Sequence, residues 1–556
     1  MMEETHFDAI VVGSGFGGSV MSHRLAEGGL RVCLLERGKA YPPNSFPRSP
    51  YRMRENFWDP GEGLYGLYDF WSFHRIHAVV ASGLGGGSLV YANVLMRKDE
   101  EWFVKEDLAR GGYEHWPITR AELDPHYDRV ERMMRPQRYP FDQAPYSDTS
   151  KTRAFREAAK RLGLEPFLPN LAVTFANEDE TPVPGEPIRE EHPNLHGRTR
   201  QTCRLCGECD IGCNYGSKNT LDYNYLSEAK RLGAEIRTGC EVEAIEPRDG
   251  AGGGYAVRYL QHRLADDHDE RGATVRTITS DRLILSAGAI GSTNLLLRNR
   301  SAFPRVSRLL GTRFCGNGDL LTFAVKASEE SGGRRVPRVI EPGHGSVITS
   351  AVRVGGERGF YLEDAGFPEH VTWLLQMFAV PRPLWRLLKR RFVWDWLGEG
   401  PDPDLTAELS NLFGDTALSA GVLPLLAMGR DVPDGRMRLY RGRLHVDWTR
   451  RRSRPYFDRV RETSKRVAHE LGARFVDDPI SYIGRLITVH PLGGCPMGRH
   501  EKEGVVDPHG EVFGYPGLYV ADGSVMPGPV GANPSLTIAA VADRFAERLL
   551  ETKGKR

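Results

Sequence analysis

FDAIVVGSGFGGSVMSHRLAE, residues 7–27, is the stretch that decides the fold. Phe7 to Val12, apolar apart from Asp8, reads as a buried strand. Gly13-Ser14-Gly15-Phe16-Gly17-Gly18 follows, and Ser19 to Glu27 reads as a helix. G-x-G-x-x-G between a strand and a helix is a dinucleotide-binding turn. Gly13 permits the tight turn, Gly15 lets the backbone approach a pyrophosphate, and Gly18 lets helix and strand pack closely. The helix N-terminus then offers unpaired N–H groups and a positive dipole end to the phosphates.

A second strand, Arg31 to Leu35, ends at Glu36, where a ribose-binding carboxylate belongs. Farther on, VVASGLGGGSLVYANV (79–94) holds Gly83, Gly85, Gly86, Gly87 and Ser88 in a loop suited to close backbone contact with a flat cofactor. Asn219 to Arg231 reads as a helix and Ala234 to Ile245 as a strand. Leu283 to Arg298 is strand, small-residue turn and helix, and Leu518 to Leu550 repeats that pattern. Arg120 to Arg135 looks helical, and Gly250 to Gly254 reads as a hairpin loop.

These pieces are scattered along the whole chain. A nucleotide-binding domain assembled from distant segments implies a second domain built from the insertions. The expected fold class is α/β. A Rossmann-type domain comes from 1–97, 198–313 and 484–556, and an α+β substrate domain, a sheet with covering helices, from 98–197 and 314–483.

The bulk numbers limit the function. At 556 residues the chain exceeds one ordinary domain, and 62 Gly with 36 Pro points to many loops. A net charge of +1 gives no electrostatic case for nucleic-acid binding. No apolar run reaches the length of a membrane span, and the first residues lack the basic-then-apolar pattern of a secretion signal. The expected compartment is the cytoplasm.

Cys203, Cys206, Cys209 and Cys213 have the ferredoxin spacing C-x2-C-x2-C-x3-C. Asn214 stands where that pattern has Pro, and Cys33, Cys240, Cys315 and Cys495 are isolated. The reading favours a packed, thiol-lined structural loop over an iron–sulfur cluster. Zinc is disfavoured, because such short loops strain a tetrahedral site.

GSGFGGS at 13–19, GLGGGSLV at 83–90, SAGAIGSTNLLLR at 286–298, VHPLGGC at 489–495 and VADGSVMPGPVGANPSLTIAAVADR at 520–544 together resemble the glucose–methanol–choline (GMC) flavin oxidoreductases, in their cholesterol-oxidase branch. Asn317 in FCGNGD belongs to the same comparison. The resemblance implies FAD, held non-covalently since no histidine stands in the 83–90 loop. It implies cofactor contacts from Gly13, Gly15, Phe16 and Gly18, with Glu36 on the adenosine ribose. Gly85, Gly86, Gly87 and Ser88 would meet the pyrophosphate and flavin, and the Val242 backbone the adenine. Asp522 and Gly523 would lie near the pyrophosphate and ribityl chain. Two positions depart from the branch: Tyr91 replaces an Asn and Ser535 a Phe, both near the flavin.

The implied reaction takes an alcohol to a carbonyl, with a hydride passing to flavin N5 and a proton to a base. His490 is the natural base. Asn533 offers an amide to the alcohol oxygen or the flavin, and Glu363 in FYLEDAGFP is a third catalytic candidate. The partners are a small-molecule alcohol and oxygen or another electron acceptor. The alternative is an iron–sulfur flavoprotein that passes electrons to a protein partner.

Residues 370–397, HVTWLLQMFAVPRPLWRLLKRRFVWDWL, hold Trp373, Trp385, Trp394 and Trp396 of the chain's nine tryptophans. Trp385, Leu388, Phe392 and Trp396 share one helical face, with Arg386 and Arg390 on another. That pattern suits either a lid over the substrate domain or a peripheral membrane contact. Both favour a lipophilic, sterol-like or long-chain alcohol.

Overall fold

The computed structural model describes residues 5–248, 253–264, 273–368, 421–478, 481 and 484–553. Residues 370–397, and most of the 250–254 loop, lie outside them. Among the described residues no helix is long and apolar enough to cross a membrane.

The strand His6–Val12 runs parallel to Val32–Glu36 on one side and to Ala273–Leu285 on the other. Glu235–Thr238 extends the sheet beyond Val32–Glu36, also in parallel. Every residue of Val32–Glu36 is buried, as expected for a strand covered on both faces. Helix Phe16–Glu27 packs against Tyr225–Arg231 and Ser535–Lys553, so the first and last helices of the fold are neighbours.

Ala273–Leu285 is a long strand used twice along one edge. Its first part pairs antiparallel with Tyr255–His262, which pairs in turn with Cys240–Pro247. Its last three residues pair in parallel with Leu518–Val520. The hairpin and the C-terminal strand therefore divide that edge between them.

A second sheet is antiparallel throughout. Its order is Pro166–Phe167, Ala351–Val354, Phe360–Asp364, Leu423–Gly429, Leu320–Val325 and Arg474–Asp477. Helix Arg450–Glu470 lies on Leu320–Val325, and Ser150–Arg161 lies against both that helix and Phe360–Asp364. Arg450–Glu470 buries Tyr456, Phe457, Val460, Ser464, Val467 and Ala468, a stripe at helical spacing.

Two elements differ from the sequence reading. The helix expected over 219–231 spans only Tyr225–Arg231. The Asn219 side chain is drawn away to the Met134 and Arg135 carbonyls, and Leu221 N–H donates to Ser88 Oγ. The strand expected over 234–245 breaks at Gly239 (φ 72) into Glu235–Thr238 and Cys240–Pro247. Helix Arg120–Met134 forms as expected, opened by a Thr119–Glu122 capping box.

Candidate functional site

The two glycine loops meet at the carboxyl end of the parallel sheet. Gly86 sits at φ 53, and a methyl group there would lie 2.7 Å from Gly15 Cα. Only glycine permits this approach. Gly15 and Gly87 have nothing within 4 Å of where a side chain would start, so both face open space. Gly17 is the opposite case: a methyl group would fall 1.6 Å from the Ala521 carbonyl oxygen, so this glycine serves helix packing. Gly18 packs in the same way on the Gly13 carbonyl oxygen, at 1.9 Å.

Glu36 is buried at the end of its strand. Its Oε2 accepts from Ser14 N–H (3.0 Å) and Ser14 Oγ (2.5 Å), and its Oε1 from Gly38 N–H (2.9 Å). Ser14 Oγ in turn accepts from Gly85 N–H at 2.9 Å. The carboxylate therefore pins both glycine loops and keeps lone pairs for further donors. Val242 is half-buried at a register shift in its strand. Asp522 lies at the other end of the cradle. Its Oδ2 caps the helix Gly288–Arg298 through Gly288 N–H (2.9 Å) and Ser292 Oγ (2.5 Å), and burial raises its pKa. Ala287 and Gly288, just beyond the buried end of the strand Ala273–Leu285, are exposed. An open floor of glycine backbone, with a helix N-terminus and a carboxylate at its border, fits a dinucleotide.

His490 stands between the short strands Leu486–Thr488 and Leu492–Gly494. Its Nδ1 lies 2.8 Å from Asp319 Oδ1. Asp319 Oδ2 accepts from Thr488 Oγ1 (2.9 Å) and from the N–H groups of Val489 (2.9 Å) and His490 (3.2 Å). A carboxylate can only accept, so Nδ1 carries the proton and Nε2 keeps its lone pair. The histidine side chain is 17% exposed and its carboxylate partner 4%, so the ring is reachable while its anchor is not.

Asn533 and Glu363 adjoin this pair. Burial pushes the Glu363 carboxyl up to about 8; the Asn533 side chain opposes that shift, and the Asp364 and Asp319 carboxyls add to it. Neither Glu363 oxygen, nor Asn533 Oδ1, has a well-formed hydrogen bond, although all are buried. Among the described residues, these buried oxygens have the Asn533–Glu363 contact as their polar neighbourhood.

The loop that carries Asn533 is clamped twice. Asn317 accepts from Gly531 N–H (2.8 Å) and donates to the Ala532 carbonyl (3.0 Å). Lys98, fully buried, donates to the Pro529 (2.8 Å) and Val530 (2.9 Å) carbonyls and lies 4.3 Å from the Trp116 ring. Asp319 and Lys98 were absent from the sequence reading. Asp319 had a visible signal, since it closes the FCGNGD motif that already contained Asn317. Lys98 had none.

Tyr91 and Ser535, the two departures, also lie here. The Tyr91 ring stands edge-on to Phe16 at 5.5 Å, with the Lys218 ammonium 4.8 Å from its centre. Ser535 opens the last helix, its Oγ 3.5 Å from the Val94 carbonyl. Cys203, Cys206, Cys209 and Cys213 are apart from the His490 group and line a cavity of their own.

Comparison with known proteins places the sequence among oxidoreductase family models and relatives. Residues 193–315 and 448–542 match the N- and C-terminal family models described as GMC oxidoreductase. The chain is similar to a cholesterol oxidase of Mycobacterium tuberculosis, 29% identical over 99% of this chain and 92% of the relative. A cholesterol oxidase of Acinetobacter baumannii is 27% identical over 97% and 93%. Among solved structures, pyridoxine 4-oxidase from Mesorbium loti shares the fold, with TM-score 0.56 and 18% identity over 97% of this chain and 98% of that one.

Proposed function

We propose that this chain, whose residues 193–315 and 448–542 match the GMC oxidoreductase family models, is an alcohol-oxidising oxidoreductase of that family that uses FAD to oxidise a lipophilic, sterol-like or long-chain alcohol. The observation that carries the reading is the His490–Asp319 pair beside Asn533 and Glu363. FAD, when bound, supplies the hydride acceptor at flavin N5. Gly15, Gly86 and Gly87 would face its pyrophosphate and flavin, and Glu36 its ribose.

The protein's part is proton management and orientation. His490 Nε2 takes the hydroxyl proton, and Asp319 stabilises the resulting imidazolium through Nδ1. The Asn533 amide donates to the alcohol oxygen and holds it toward His490. Glu363, predominantly protonated at neutral pH, adds a neutral donor or acceptor without a second negative charge. Oxygen or another acceptor then regenerates the cofactor.

The lipophilic substrate is supported by the cholesterol-oxidase relatives and by the aromatic-rich sequence of 370–397. The test is anaerobic mixing with a panel running from short polar alcohols and sugars to sterols and long-chain alcohols, followed by flavin bleaching. His490→Ala should slow bleaching by roughly 10²–10⁴ while retaining cofactor. Wild-type rates in that variant overturn the role of His490. Faster bleaching by the polar alcohols overturns the substrate class alone.

A further inference from the structure

The run from Cys203 to Cys213 packs Cys203, Leu205 and Cys209 into the core, yet it also gathers its sulfurs. Here all four cysteines line one cavity, together with Tyr215 and Lys218, and all four are free thiols. Cys213 turns back toward the other three. In two-cluster ferredoxins of this spacing the fourth cysteine serves a second, distant cluster.

The backbone is arranged around the sulfurs. Leu205 N–H is directed at the Cys203 sulfur, and Glu208 N–H at the Cys206 sulfur. The same cysteine-to-second-residue pattern thus occurs twice, three positions apart. Hydrogen bonds to sulfur are one of the means by which a protein holds and tunes a metal–sulfur centre. Each turn is made by a residue at positive φ, Leu205 at 60 and Gly207 at 65. A leucine stays there only when its surroundings hold it. They do: Gly207 N–H donates to the Gly345 carbonyl (3.0 Å) and Gly345 N–H to the Leu205 carbonyl (3.0 Å).

Among the described residues, no three His, Cys, Asp or Glu side chains converge as one metal ion requires. Zinc would need four sulfurs about 2.3 Å from a single atom. The four cysteines line one cavity, and a polynuclear cluster keeps its ligand sulfurs on separate irons.

We propose that Cys203, Cys206, Cys209 and Cys213 ligate an iron–sulfur cluster. Lys218, 1% exposed, supplies a buried positive charge beside the four thiolates. Its Nζ donates to the Cys209 carbonyl (2.6 Å) and to the Leu89 (3.1 Å) and Tyr91 (2.9 Å) carbonyls. One side chain thereby joins the cysteine loop to the glycine loop assigned to FAD. Resting on that assignment, the cluster is an outlet for electrons. Each alcohol oxidised releases two electrons and two protons; the electrons leave singly, through the cluster, to two equivalents of a one-electron acceptor, and the protons go to solvent.

The experiment is anaerobic purification of the full chain, with iron, acid-labile sulfide and zinc measured per chain. It is followed by electron paramagnetic resonance before and after dithionite. The expected result is about 4 iron and 4 sulfide per chain and a cluster signal. Both should be lost in the Cys206→Ser, Cys213→Ser double variant. Zinc in place of iron, no metal, or unchanged iron in the double variant overturns the proposal. If the double variant fails to fold, the wild-type iron and sulfide content decides alone. Neither measurement depends on flavin, so a wrong cofactor assignment would leave the cluster result standing and remove only the electron path.

Discussion

His490 presents Nδ1 to Asp319 Oδ1 at 2.8 Å, across 171 positions of sequence. The same carboxylate holds the backbone N–H of His490 and of the residue before it. Asp319 thus fixes the tautomer, the ring and the strand end together. Replacing it with Asn keeps the shape but adds a donor where only an acceptor fits. In Asp319→Asn, kcat for alcohol oxidation should fall by roughly 10²–10⁴ with KM changed far less. Steady-state kinetics with the best substrate of the panel checks this, and an unchanged kcat overturns the positioning role.

Gly15 and Gly17 should separate cofactor binding from folding. Gly15 faces open space, so Gly15→Val should fold with a near-wild-type melting temperature and purify without flavin. Gly17→Ala should instead damage the fold, because its methyl group meets a backbone carbonyl at 1.6 Å. Thermal melts and flavin absorbance of the two purified variants distinguish these outcomes.

Asn317 has φ 54 and bonds to two consecutive residues that lead into Asn533, Gly531 and Ala532. Asn317→Ala leaves a buried N–H and a buried C=O unpaired, at about 1–3 kcal/mol each. It also places a residue less suited than Asn in a left-handed conformation. A fall of several degrees in the melting temperature is expected, with loss of turnover below the melt. A melt within about one degree of wild type would contradict the clamp.

Glu363 predicts a pH dependence of stability. Its ordinary value is 4.5, and burial, the largest cause, raises it to about 8. Between these values the folded chain keeps a proton that the unfolded chain has released. The stability contribution is therefore complete below the ordinary value and is lost as pH rises through about 8. Glu363→Gln lacks this titration. The melting temperature of the variant minus that of wild type should grow from pH 5 to pH 8. A difference independent of pH contradicts a buried, protonated Glu363.

What could be read in the sequence was what is local. The glycine turn at 13–18 and the 83–88 loop declare themselves because tight turns and close backbone approach require Gly at those positions. Glu36 follows from strand length alone. The expected helix over 219–231 failed because Asn219 and Leu221 bond to partners 84 to 133 positions away. Lys98 was invisible for the same reason, since its carbonyl partners lie 431 and 432 positions on. The cysteine spacing was plain, but only the folded chain brings Cys213 to the same cavity as the other three.

The shared edge of Ala273–Leu285 has a consequence for biogenesis. The hairpin from Cys240 to His262 can close on that strand as soon as it emerges, being its immediate predecessor. The Leu518–Val520 place must wait for more than two hundred further residues, and helix Phe16–Glu27 waits longer still for Ser535–Lys553. Contacts of such sequence separation form slowly, and until they form the first helix keeps an apolar flank in water. A nascent chain of this protein therefore keeps that flank unburied through nearly its whole synthesis. Its N-terminal segment should lose protease sensitivity only after the final helix has left the ribosome.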